Sequence, residues 1–254
     1  MGIDRPFFRT ARQLADGSYQ NSGNGRYVRH PLYAPGADKY IHAYLLIQKD
    51  MLDVFDYVSG SDVNLRTHSF RIHELIIRAC IEVEANFKAI LRSNGYSKTG
   101  SYTVFDFQKV EPTHYLSGYR VKIPYWHGNQ SVRQPFGSFR LASDQATPSP
   151  AWYQAYNATK HDRHENFEQA NLEVMIDAVA GLAVLLAAQY LTEDYSPVSP
   201  GLAASYGDGD GSEDAIGGYF RIFYPDDWPD AERYSFDWQT LKADPNPFSS
   251  HNYA

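Results

Sequence analysis

The segment VMIDAVAGLAVLLAAQYL, residues 174–191, constrains this chain more than any other. Its apolar residues fall at every phase of a 3.6-residue turn, so a helix built from it has no solvent face and must be surrounded. Asp177 interrupts the run and leaves about 14 residues without a charge, whereas a membrane span wants about 20. The expectation is a central helix in a soluble protein, wrapped by other elements of the same chain.

Candidates for the wrapping elements follow from periodicity. Residues 38–58 place Ile41, Leu45, Leu52 and Phe55 near helical spacing, with Asp38 as N-cap. Residues 63–93 are the most regular stretch: Phe70, His73, Ile77, Cys80, Ile81, Phe87 and Leu91 gather mostly on one face, and SNG supplies a stop. A third helix is predicted from Ser149 as N-cap and Pro150 in the first turn, over 150–165. It runs, with or without a kink, into the apolar helix at 167–191. These four predict a mainly α fold, a four-helix bundle spanning 38–193. Within it, SYTVFDFQKV and YRVKIPYW alternate apolar and polar residues, so 101–141 reads as a small β-like insertion of short strands or extended segments. Turn-like clusters such as NSGNG make 1–37 an irregular surface arm. Residues 194–218 have linker composition, and 219–254 form an aromatic tail, either a hairpin or an extended strap.

Charge and cysteine usage bound the function. A formal net charge of −7 gives no overall basic footprint for long nucleic acids, while leaving room for a local basic patch. Cys80 stands alone, which precludes an intramolecular disulfide and a cysteine-based zinc site and fits a cytoplasmic location; among Ile76, Ile77, Ile81 and Val83 it reads as an inert buried thiol. The first residues hold no apolar run of secretory length. DGDGSED (208–214) has acids at the first and third positions of a calcium loop, but Glu213 stands where that loop needs Gly. No phosphate-binding loop, nucleophile elbow or dinucleotide fingerprint occurs. His161 and His164 at i, i+3 could share a metal ion, yet the one Glu-x-x-His spacing, EPTH (111–114), contains Pro and lies in the extended region. Neither a metal nor a cofactor is expected.

The richest chemistry lies in WYQAYNATKHDRHENF, residues 152–167. On one continuous helix Asn157, His161 and His164 share a stripe, beside another formed by Trp152, Tyr156 and Lys160. A neutral imidazole can accept a proton, and Lys160 or Arg163 can hold a phosphate. The alternative is a solvated helix end whose cations face the negative pole of the dipole. Glu74, Arg78 and Glu82 recur every four residues on the second helix, as a surface ion-pair row or as the opposite wall of a groove. In the groove reading His161 looks across at Arg78, with Glu74 or Glu82 orienting the imidazole.

The long helix RIHELIIRACIEVEANFKAIL, followed by YNATKHDR leading into an apolar helix, resembles the HEPN superfamily of small helical-bundle proteins. The likeness covers about 38–93 and 150–191; the order Asn157, Lys160, His161, Arg163 departs from the Arg-to-His spacing of the nuclease members. The resemblance implies RNA binding or metal-independent RNA cleavage, pairing as a homodimer, and a place in bacterial defence or toxin-type systems. His161 would then move protons at the 2′-hydroxyl or leaving oxygen, Arg163 or Lys160 would stabilise the phosphorane, and Asn157 would position the phosphate. A non-catalytic interaction protein is the other expectation, with Tyr115, Tyr119, Tyr125, Trp126, Tyr219, Phe220, Phe223 and Tyr224 exposed for a protein partner.

Overall fold

Every residue from Ala178 to Tyr190 is buried in helix α7 (Leu172–Tyr190), as an all-apolar helix requires. Asn171 starts this helix by accepting a hydrogen bond from the Val174 amide at 3.2 Å. The helix is long and apolar enough to cross a membrane, and 83% of that stretch is covered by the rest of the protein. At Gly181 the rings of Trp152 and Phe136 come so close that a Cβ would sit 3.1 Å from the indole. A side chain there would require the indole to give way by a few tenths of an ångström.

A computed structural model describes residues 2–141, 149–192 and 209–254. Helices α1 (Ala37–Phe55) and α2 (Phe70–Ser93) pack on each other and on α7. So, from the other side of the sequence, does α5 (Ala151–His161), which contacts both α2 and α7. The fold is mainly α, with a small antiparallel sheet attached.

Several boundaries differ from the sequence reading for local reasons. Gly36, in the left-handed region at φ 76°, precedes α1, and Asp38 sits in the first turn without capping it. The second helix begins at Phe70, not near 63. Residues 62–64 form a separate 3-10 turn, and the carbonyls of Leu65 and Thr67 accept from the amides of Glu173 and Leu172. That segment is extended because it satisfies the free amides at the start of α7. Ser69 then caps α2, accepting from Ile72 N at 3.1 Å. Helix α5 starts at Ala151 with Pro150, not Ser149, in the cap position.

Of the region 101–141 expected to be strand-like or extended, SYTVFDFQKV and the EPTH after it form helical turns instead, α3 (Val104–Gln108) and α4 (Glu111–His114). A capping box explains the first: Thr103 caps the turn, and the Asp106 carboxylate takes the Thr103 amide at 2.7 Å. True strands come later, β1 (Arg120–Lys122) and β2 (Val132–Arg133). They join β3 (Glu213–Asp214) and β4 (Arg221–Phe223) in the antiparallel order β2-β1-β4-β3. Val121 pairs with Arg133 on one side and Ile222 on the other, so the insertion and the tail share one sheet. Of the 194–218 linker, residues 194–208 lie outside the described residues, while the remainder carries β3 and the buried Ala215 and Ile216.

The N-terminal arm is not a surface feature. Ala11, Tyr27 and Tyr33 are fully buried, and Arg9 and Arg12 are nearly so. Arg9 donates to Gln189, Tyr190 and the Pro35 carbonyl, while Arg12 donates to the carbonyls of Thr113, Pro112 and Glu232. A guanidinium can be buried here because its N–H fork is filled by acceptors and its faces lie on rings, Trp228 at 4.7 Å among them. The tail, with α8 (Trp238–Leu241), closes over the arm through edge-to-face contacts of Tyr27 with Tyr234, Phe236 and Trp238.

Candidate functional site

The expected polar stripe on one continuous helix is broken at Asp162, whose backbone (φ −143°, ψ 77°) leaves the helix. Its carboxylate caps a new turn, α6 (Arg163–Asn166), by accepting from Glu165 N at 3.3 Å. Four residues expected to act together are thereby divided. Asn157, Lys160 and His161 remain on α5 and line a groove of about 800 Å³. Arg163 turns away, its guanidinium 5.6 Å from the Phe70 ring centre. His164 is exposed beside Glu165 at 3.9 Å.

The wall facing α5 is not the Glu74–Arg78–Glu82 row. Arg78 bonds the Asp50 carboxylate on α1, which also holds Arg71 at 3.0 Å, and Glu74 approaches Arg78 at 3.9 Å. These charges form a lattice between α1 and α2. None of the three lines the groove, so the expected juxtaposition of His161 and Arg78 does not occur. Burial raises the pKa of Glu82.

The α2 residues that meet α5 lie on a different phase of the helix. His73 reaches the Thr159 carbonyl, and its other ring nitrogen is buried without a hydrogen-bond partner; burial first, then the nearby Arg163, lowers its pKa. Glu84 accepts from Tyr153 OH at 3.0 Å and from Lys88 Nζ at 3.0 Å. Tyr156 completes the chain, donating to Glu84 at 3.4 Å and accepting from Lys160 Nζ at 3.0 Å. That bond to Tyr156 raises the pKa of Lys160 and ties its charge to the groove lining.

The groove's far wall is the turn after α2. Gly95, at φ 83°, reverses the chain, and Tyr96, Lys98 and Tyr102 then line the opening opposite α5. Asp106 fixes this turn by accepting from Tyr96 OH at 2.7 Å and Lys98 Nζ at 2.8 Å. Arg92 lies over the Tyr102 ring at 5.5 Å, and its guanidinium has no hydrogen bond or ion pair to another of the described residues. The lining thus carries the cations Lys88, Arg92, Lys98 and Lys160; Lys88 is paired with Glu84 and Lys98 with Asp106, which leaves a positive excess from Arg92 and Lys160 on a chain whose net charge is −7. Such a local excess attracts anions despite the overall sign.

Comparisons with family models, with curated proteins and with solved structures find no match. The site therefore stands on its geometry.

Sequence reasoning found the α5 side of the groove and missed Glu84, Lys88 and Arg92. The signal was there, since these residues also recur every four positions, on the same helix as the row chosen instead. Among the described residues no group of three or more His, Cys, Asp or Glu is placed to hold a metal. His114 of EPTH is buried, its Nε2 at 2.9 Å from the Arg9 carbonyl. In DGDGSED, Asp210 is engaged by Ser212 and Lys122, and Asp208 lies outside the described residues. Cys80 is buried, which pushes its thiol pKa well up. Of the eight aromatics expected to form an exposed surface, Tyr119 and Phe220 are fully buried and Tyr115 stacks on Trp228 at 4.2 Å; Tyr125 is the large exposed one.

Proposed function

We propose that this protein binds single-stranded RNA in the groove between α5 and the turn after α2, as a HEPN-like helical bundle formed by α1, α2, α5 and α7. The observation that carries the reading is the interleaving of Lys88, Arg92, Lys98 and Lys160 with the rings of Tyr96, Tyr102 and Tyr153 along one concave surface. Cations that track a phosphate backbone beside aromatic platforms for bases are the usual means of holding a single strand. His161 is the one imidazole in the lining and is exposed, so it is the candidate proton carrier for metal-independent cleavage. Asn157 would position the phosphate, and Lys160 would take the phosphorane-stabilising role, because Arg163 points elsewhere. A homodimer and a role in bacterial defence accompany the HEPN-like reading.

The test is binding of labelled single-stranded RNA at several salt concentrations. Lys160→Ala with Arg92→Ala removes two exposed cations without opening the core. Affinity should fall by tenfold or more, and the salt slope should shrink by roughly 1.4, about 0.7 per lost contact. Incubation with chelator present then asks for chemistry: cleavage that His161→Ala abolishes assigns the proton transfer. Wild-type protein without RNA affinity, or a double variant that binds as well as wild type, removes the proposal.

A further inference from the structure

A second concave site, of about 500 Å³, lies at the C-terminal end of α1 and shares no lining residue with the RNA groove. Phe55, Tyr57, Tyr125 and Tyr219 line it, together with Asp56 and His127. We propose that this site binds an organic cation of the quaternary or alkylated ammonium class.

Three observations point to a positive ligand. The rings come first: Phe55 and Tyr219 lie 6.2 Å apart and tilted by 33°, and Tyr57 and Tyr125, 90% and 63% exposed, line the same cleft. Aromatic faces carry partial negative charge and attract a soft, weakly hydrated cation. Second, the negative pole of a 19-residue helix ends at the site, and its last turn contains no basic residue. Asp53 in that turn and Asp56 just beyond it add negative charge where a helix end is already negative, an arrangement a bound cation would relieve. Third, no Lys or Arg lines the site and His127 is its one imidazole, so a phosphate ligand finds no permanent cation there.

The cleft is also held ready. Asp62 accepts from Trp126 Nε1 at 2.6 Å and from the amides of Asn129 and Gln130 at 2.8 and 3.1 Å. The Gly60 carbonyl takes the His127 amide at 2.9 Å, pinning one loop to the other. Gly60 leaves room for the indole, since a Cβ there would stand 3.3 Å from Trp126. Between these anchors Tyr125 is kept in the left-handed region at φ 56°, a costly conformation for a bulky residue and one that carries its ring outward.

The test uses the full chain and choline chloride, followed by calorimetry or ligand-observed NMR, with 3,3-dimethylbutan-1-ol as the uncharged isostere. Choline should saturate with a Kd on the order of 1 mM or tighter, and the isostere should bind at least tenfold more weakly. Tyr57→Ala and Asp56→Asn, both at exposed positions, should each weaken choline several-fold to about tenfold. Lys160→Ala in the other groove should leave choline binding unchanged. Failure of choline to saturate, equal binding of the isostere, or indifference to both site variants would overturn the proposal. None of these outcomes bears on RNA binding.

Discussion

His114 shows how a single side chain ties stability to pH. The Arg9 carbonyl can only accept, so Nε2 carries the proton, and Nδ1 lies 2.7 Å from the Thr113 hydroxyl. Burial pulls the pKa of this imidazole down to about 3, with the Arg12 charge adding to the effect. Its folded-state value lies below the unfolded one, so between those pH values the unfolded chain binds the extra proton. Stability therefore falls as pH drops, by roughly 1.4 kcal/mol per unit below about pH 6. His73 and His251, lowered by burial as well, contribute with the same sign, so the diagnostic is the difference between proteins. His114→Gln should be less stable than wild type at pH 7 and lose much less stability between pH 6 and 4, measured by urea unfolding; parallel curves would reject this account. At the same scale, Asn157, Lys160 and His161 were legible as a cluster because a polar group next to an apolar helix stands out. Their partners were not, because α2 carries charged rows at several phases, and which one faces α5 depends on Arg78 finding Asp50 on another helix.

Among the elements, α2 and α7 were legible as helices from their apolar residues, and their C-terminal ends fell within a residue. Their starts came seven and five residues later than expected, at Phe70 and Leu172, because 65–67 is drawn into bonds with the first amides of α7. The short helix α3 was not legible. VFDFQ alternates like a strand, and a five-residue element is too short for period to overrule alternation; the decisive signal was Thr103 three residues ahead of Asp106. Asp106 caps α3 and anchors the groove's far wall at once. Burial alone would raise its pKa, but hydrogen bonds from Lys98, Tyr96 and Thr103 outweigh that and hold it well below the usual carboxylate range. Its stabilising contribution is thus present above the unfolded pKa and lost as pH falls below about 4. Asp106→Ala leaves the Thr103 amide and the Tyr96 hydroxyl without their acceptor and should cost about 2–3 kcal/mol at pH 7, seen as a lower urea midpoint with unchanged slope. On the proposed function, RNA affinity should drop with it, because the turn carrying Tyr96, Lys98 and Tyr102 loses its fixed position. An unchanged midpoint would show that the carboxylate is dispensable to the wall.

Across the whole molecule, composition suggested an arm and a tail hung on a bundle, whereas the chain ends build one joint structure. Tyr234 N donates to the Gln13 carbonyl at 2.9 Å, and its own carbonyl accepts from Ala15 N at 2.8 Å. Ile3 N donates to Arg233 O at 2.8 Å, Ser235 N returns to Ile3 O at 2.7 Å, and Ser249 N reaches Pro6 O at 3.0 Å. Contacts separated by more than 200 positions leave no period or spacing to read, so nothing local in Gln13 or Tyr234 announces the pairing. Arg12 is the point where both ends meet the insertion, through Glu232 O on one side and Thr113 O and Pro112 O on the other. Replacing it by Ala leaves those carbonyls in an apolar setting and strips the cation from the Trp228 face, at a cost of about 3 kcal/mol. If arm and tail open as one cooperative unit, hydrogen exchange of Arg12→Ala should speed at the amides of Ile3, Ala15, Tyr234 and Ser249 by a common factor. The α7 amides from Ala178 to Leu186, buried on all sides, should remain the slowest in the molecule. Tail amides that exchange while Ala15 stays protected would mean that the tail detaches by itself, and that the two ends only rest against one another.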